Sequence, residues 1–418
     1  MRLSIIIIGD EILLGQVADT NSRAIARAFT STGWETISVE TVGDNAEAIA
    51  DAVRRAMKKA DAVITTGGLG PTKDDITKKV LADIFGGEFI TDPEVTANIE
   101  RVFRLRGLKM NTLTSLQAVV PTSCRVIQNR FGTAPVMLFE KDGHTLVSMP
   151  GVPFETEGML PEVAAELNRL HNPDITFLHR SLMAGGITES ALAERLARFE
   201  ESLPECLHLA YLPVPGLIRL RLDGSSNNAA ELNVLFENAF SRLIDETGEY
   251  MVYNGDATAA EIALQRLRTH GYTISTAESC TGGNIAHRIT EIAGCSDVYA
   301  GSVVSYSNEV KQSLLGVSDD TLRVNGAVSE PTVTQMALGA AEALHTDCAV
   351  ATSGIAGPGG ASPDKPTGTV WIAAVAPDTS AANGSKRVET RLLHLPGNRE
   401  RVIDRATTEA LLLLASML

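Results

Sequence analysis

The chain has 418 residues, 44% of them apolar and 21% charged, enough to bury more than one core and to fold as two or three domains. Its 51 acidic residues against 36 basic ones leave a net charge of −15, which argues against a whole-protein grip on the nucleic-acid backbone. No run of about 18 apolar residues is present to cross a membrane, and five scattered cysteines suggest neither a disulfide framework nor a zinc site, so a cytoplasmic protein is expected.

Residues 3–8 read as a strand, 20–30 as a helix, 35–39 as a strand, 46–59 as a helix and 62–65 as a strand entering a glycine turn. That alternation predicts a parallel sheet covered by helices, with ligands at the carboxyl ends of its strands. Residues 133–137 and 144–148 add strands before Pro150-Gly151-Val152-Pro153 breaks the pattern. In the turn after residue 65, Gly67, Gly68, Gly70 and Thr72 can cradle phosphates through backbone N–H groups. Asp74 and Asp75 follow; they can hold a divalent cation or simply complement a helix dipole. Asp10, at the end of the first strand, places another carboxylate in the same crevice, and Asn129 opens a further turn.

A small α+β module is expected over 172–250, with strands at 176–184, 207–212 and 217–222 and helices at 189–199 and 229–247. It is KH-like in outline, but Gly185-Gly186 does not form a G-x-x-G loop. A spacer or dimer element is the better reading, with nucleic-acid binding second.

From 255 onward the chain turns α/β again. A helix at 257–270 precedes a β-run at 271–276, then Ala277-Glu278-Ser279-Cys280-Thr281-Gly282-Gly283 leads into a helical pattern at 284–289. Strands are expected at 302–306, 348–353 and 369–375, and helices at 331–344 and 400–417. A strand, turn and helix start can present a nucleophile, an anion site, or only a helix cap. Thr281, Gly282 and Gly283 would let a ligand approach the backbone, and Ser353-Gly354 opens a second glycine-rich turn of the same kind. Ser279 is one candidate nucleophile and Cys280 the rival. With no histidine in these motifs, the base would be Lys311, provided burial keeps it neutral, and Tyr306 could relay a proton or orient the lysine.

The motifs A-E-S-C-T-G-G, Y-S-N-x-x-K, G-A-V-S-E-P and S-G-I-A-G-P-G-G, in that order, resemble the C-terminal domain of the CinA family over residues 255–418. The resemblance implies a cofactor-free amidase that hydrolyses nicotinamide mononucleotide. Ser279 would be its nucleophile, supported by Tyr306 and Lys311. Ser296, Ser353 and Arg399 would bind or orient the nucleotide, and the arginine fork suits a phosphate. Residues 1–168, with G-D-E-I-L-x-G, T-G-G-L-G-P-T-x-D-D, N-x-x-G-T-A-P and M-P-G-V-P, resemble the molybdopterin-binding-like domain of the same family. There the resemblance implies an ADP-ribose pyrophosphatase with a divalent metal, whose candidate ligands are Asp10, Asp74 and Asp75. The family likeness also implies a homodimer. The expected fold is thus two α/β sandwich domains with parallel-rich sheets, joined by the small α+β module. A competence or DNA-damage accessory protein, with one or both domains inert, is the alternative from a different class.

Overall fold

Ile5 to Ile8 are too uniformly apolar for a strand with one wet face, and the computed structural model places them in β1 (Arg2–Ile8), buried on both sides. The structure describes all residues except 31, 73–74, 109–110, 172–174, 379 and 381–384, and divides the chain into two compact units.

In the first unit, β1 is joined by β2 (Glu35–Val42) and β3 (Ala62–Thr66). A two-stranded ribbon follows, β4 (Phe89–Thr91) with β5 (Val119–Pro121), and then β6 (Arg125–Ile127), β7 (Val136–Lys141) and β8 (His144–Met149). The main sheet runs β2-β1-β3-β8-β7-β6; its first four strands are parallel, while β7 and β6 are antiparallel additions. Leu3, Ile5 and Ile7 pack with Ile25 and Phe29 of the helix Asn21–Thr30 and with Met159 and Val163 of the helix Pro153–His171. Ile6 and Ile8 pack on the opposite side with Ile49 and Val53 of Ala46–Met57 and Val80 of Thr77–Phe85. The strand expected at 133–137 begins later, at Val136, because the preceding residues form a turn braced by Asn129. Pairing of Ile8 with Val42, Ile7 with Thr66 and Thr66 with Met149 brings Asp10, Asp44, Gly67 and Gly151 to one edge.

The second unit takes in Arg180–Ser202, Leu209–Leu222 and Phe240–Leu418. These segments contribute to β9 (Thr176–Ala184), β10 (Leu207–Val214), β11 (Leu217–Ser226) and β12 (Met251–Tyr253), hydrogen-bonded in the order β10-β11-β9-β12. A five-stranded sheet follows, formed by β13 (Ile274–Glu278), β14 (Tyr299–Val304), β15 (Cys348–Gly354), β16 (Thr369–Pro377) and β17 (Lys386–His394). Its order is β14-β13-β15-β16-β17, parallel across the first three and antiparallel thereafter. Alternate residues of β15 and β16 feed two cores: Val350 and Ile372 meet the helices Ala259–His270 and Arg399–Met417, while Ala351 and Ala373 meet Glu330–Ala343. The strand expected at 302–306 starts three residues earlier and ends two earlier, at Val304, so Ser305 and Tyr306 belong to the loop beyond it. No described helix is long and apolar enough to cross a membrane.

Candidate active site

Ser279 is the first residue past β13, and the parallel register sets Glu278 beside Val304 on one neighbour and Thr352 on the other. The carboxyl ends of three strands therefore meet at the serine. Its N–H donates to Thr352 O at 3.0 Å, and its carbonyl accepts from Gly282 N–H at 3.2 Å, closing a tight turn. Within such a turn adjacent side chains diverge. Ser279 is half-buried and faces Lys311, whereas Cys280 enters the apolar core at 6% exposure. Burial raises the Cys280 thiol from 9.0 to about 12, so the more acidic side chain of the pair is withdrawn from reaction.

Lys311 comes from the helix Asn308–Leu315, which Ser307 caps, and is 1% exposed. Its Nζ donates to Ser279 Oγ at 3.1 Å and to the Ser305 carbonyl at 2.7 Å. Burial lowers its pKa from the ordinary 10.5, favouring the neutral amine that a general base requires. An unprotonated amine bonded to a serine hydroxyl can take its proton. The pair is a Ser–Lys dyad in composition and contact.

The remaining expected residues separate into those at the site and those elsewhere. Arg399, first residue of Arg399–Met417, donates to Gly357 O at 2.8 Å and to Tyr306 Oη at 3.2 Å. The arginine and tyrosine thus form an exposed rim, and the tyrosine hydroxyl is engaged by Arg399 and not by Lys311 or Ser279, contrary to the expected proton relay. A crevice of about 560 Å³ opens beside Arg399, lined by Asn284, His287, Arg288, Asn398 and Asp404 among others. Ser353 is 1% exposed and its hydroxyl donates to Ala327 O at 2.6 Å, so it braces a neighbouring loop instead of facing a ligand. Gly354 continues β15, where a Cβ would lie 2.7 Å from Thr369 O; close strand packing requires glycine there.

Ser296 precedes β14, at the amino end of the parallel strands, whereas Ser279 lies at their carboxyl end. The length of β13, about 13 Å at ~3.3 Å per residue, stands between the two ends. Within one chain the two serines do not share a site. Thr281 is buried, its hydroxyl bonded to Glu278 Oε2 at 2.8 Å and Thr352 Oγ1 at 2.7 Å, and Gly283 N–H also goes to Glu278. Of the expected Thr281-Gly282-Gly283 ligand platform, only exposed Gly282 faces outward. Glu278 is the residue that pattern reading passed over. The available signal was an acid closing a buried strand run, a placement that is costly unless every lone pair finds a donor.

In the first unit, Gly67 has φ of 109° and a Cβ there would lie 2.0 Å from Ile8 O, so only glycine lets the loop cross β1. Asp75 turns inward onto this loop: Oδ1 accepts Gly70 N–H at 2.8 Å, and Oδ2 accepts Thr72 N–H at 2.9 Å and the Thr72 hydroxyl at 2.5 Å. Gly68, also at positive φ, packs against Thr77, whose hydroxyl donates to Gly67 O. Asp10 Oδ1 accepts Asp44 N–H at 3.2 Å and Asp44 Oδ2 accepts Asp10 N–H at 3.0 Å. Asp74 lies outside the described residues. Among the described residues no three His, Cys, Asp or Glu side chains converge, so Asp10 and Asp75 do not by themselves make a metal ligand set. Asn129, at 1% exposure, donates to Glu155 Oε2 at 2.7 Å and Ala134 O at 2.9 Å and accepts from Phe131 and Gly132. It is a loop brace with no bond left for a substrate.

Residues 256–418 match the family described as "CinA C-terminal domain", and residues 4–169 match the one described as "Probable molybdopterin binding domain". A CinA-like protein of Cytophaga hutchinsonii is 43% identical over 372 residues, 88% of each chain. Another, from Gemmatimonas aurantiaca, is 39% identical over 415 residues, 98% of this chain and 95% of its own. The crystal structure of the competence/damage inducible protein CihA from Agrobacterium tumefaciens is 38% identical, covers 39% of this chain and 96% of its own, and superposes with a TM-score of 0.36.

Proposed function

The chain belongs to the CinA family, and from that premise we propose that its C-terminal domain is a serine amidase acting on nicotinamide mononucleotide. The observation that carries the reading is the contact between buried Lys311 Nζ and Ser279 Oγ. Neutral Lys311 takes the Ser279 hydroxyl proton as Oγ attacks the carboxamide carbon. The tetrahedral adduct then collapses: the C–N bond breaks, and the proton held on Lys311 passes to the departing nitrogen, which leaves as ammonia. Water, deprotonated by the same amine, attacks the acyl ester; the C–Oγ bond breaks and the proton returns to Ser279, releasing nicotinate mononucleotide. Arg399, on the rim with Tyr306, suits the phosphate through its planar donors.

For the N-terminal domain, hydrolysis of ADP-ribose to AMP and ribose 5-phosphate rests on the glycine loop at the carboxyl edge of the sheet. A divalent metal would supply charge neutralisation on the diphosphate. Both oxygens of Asp75 accept donors of its own loop, whereas Asp10 accepts Asp44 N–H through Oδ1 alone, so of the two Asp10 would be the better placed to offer the metal an oxygen.

The test incubates the full chain with each nucleotide, with and without EDTA, and identifies products by chromatography. Ammonia and nicotinate mononucleotide should form equally with the chelator; AMP should form only without it. Failure to release ammonia from nicotinamide mononucleotide would remove that substrate.

A further inference from the structure

We propose that Glu278 is a positioning residue that sets both halves of the Ser279–Lys311 pair; the idea rests on the amidase reading only for its substrate assay. Glu278 ends β13 and is fully buried. Its Oε2 accepts the Thr281 hydroxyl at 2.8 Å and the N–H groups of Gly283 and Ile285, each at 3.0 Å. Its Oε1 accepts Ala286 N–H at 2.9 Å, with the Ser302 and Thr276 hydroxyls farther off at 3.4 and 3.5 Å.

This is an unusual cap for the helix Asn284–Thr290. In the same domain Ser307, Ser318 and Ser329 each cap the helix that they immediately precede. Asn284–Thr290 instead follows Gly283, which has no side chain to offer, and the acceptor comes from five residues upstream. The carboxylate therefore ties together the two ends of the segment that carries Ser279. Its backbone reaches the other half of the pair as well: Ser305 N–H donates to Glu278 O at 2.8 Å, and Ser305 O accepts Lys311 Nζ at 2.7 Å. Nucleophile and base are thus each one link from Glu278.

Two consequences separate positioning from catalysis. Glu278 has no exposed surface, so it cannot touch substrate. By accepting the first N–H groups of Asn284–Thr290 it also closes that helix end to a substrate phosphate, so the phosphate is left to side chains of the rim such as Arg399. Changing Glu278 should lower kcat and leave KM alone.

The experiment compares the full chain with Glu278→Gln and Glu278→Met. It measures folded fraction by circular dichroism, the rate of Ser279 modification by a fluorophosphonate, and kcat and KM for nicotinamide mononucleotide. Glutamine can face Oε2's three donors with its carbonyl but presents an NH₂ to Ala286 N–H. A folded E278Q should lose about 100-fold in kcat and in labelling rate, the scale of a small misplacement of reacting groups, with KM within about twofold. Glu278→Met should lose more. Should E278Q not fold, Thr281→Val removes one donor from Oε2 and should slow labelling about tenfold. A folded E278Q with labelling and kcat within about threefold of the parent overturns the proposal, as does a rise in KM at constant kcat. A parent chain that is labelled at Ser279 yet releases no ammonia discards the substrate, leaving the labelling rates to decide Glu278's role. No labelling of Ser279 in the parent removes the nucleophile and Glu278's role together.

Discussion

Replacing Ser279 and Cys280 one at a time separates two nucleophiles that are neighbours in sequence. Cys280 is 6% exposed, and burial pushes its thiol to about 12. At neutral pH such a group stays protonated, and the nucleophilic thiolate is withheld. The buried thiol also has no open path to a substrate. Cys280→Ala removes one heavy atom from the apolar core at about 1 kcal/mol of stability, while kcat should stay within about threefold of the parent. Ser279→Ala leaves Lys311 without a hydroxyl to activate and should cost about 10⁴–10⁶ in kcat, the range for removing a serine nucleophile. Ammonia release by both variants, normalised to folded protein, is the assay. Intact-protein mass spectrometry after iodoacetamide should show Cys280 unmodified in the native chain. A dead Cys280→Ala beside an active Ser279→Ala, or rapid alkylation of native Cys280, would refute the geometry.

Lys311→Met fills the same buried space without a base and should lower kcat about 10²–10⁴-fold, as for loss of a general base. Because burial depresses the Lys311 pKa, kcat/KM in the parent should climb with pH through a midpoint below 10.5, and a falling profile would contradict a neutral amine. Arg399→Ala should raise KM for the mononucleotide about 10–100-fold, as for a lost charge-assisted bond, and leave the phosphate-free riboside unchanged; equal effects on both would take Arg399 off the phosphate. In the N-terminal domain, Gly132→Ala would set a Cβ 1.9 Å from the Glu155 carboxyl and should destabilise the native state by at least ~1–3 kcal/mol in urea unfolding. Burial, opposed by the Asn129 bond, holds the Glu155 carboxyl above 4.5, so its protonated form favours the folded state. Its contribution is present at low pH and lost as pH rises through the raised value; Asn129→Ala should move that loss to higher pH, read from denaturation midpoints across the acid range.

Much of this architecture is legible in local pattern. The isoleucine run of β1 and the apolar stretches of β3, β15 and β16 are long enough, and flanked by clear enough glycine turns, to mark buried strands. β17 escaped that reading because its side chains are largely exposed and charged. Where the carboxyl end of β14 slipped by two residues, the consequence reached the site: Tyr306 moved from strand end to rim and found Arg399.

By itself the sequence determined the residue types that chemistry requires at the strand ends, a hydroxyl in a glycine turn and a lysine 32 positions later, because local spacing controls where turns and helix starts fall. Which way each side chain points, and what surrounds it, follows from packing between elements distant in sequence. Strand register put Ser296 at the far end of the sheet, the turn buried Cys280 and freed Ser279, and packing desolvated Lys311. The helix end that looked free in sequence is filled by Glu278, since a buried N–H takes whatever acceptor the fold brings to it.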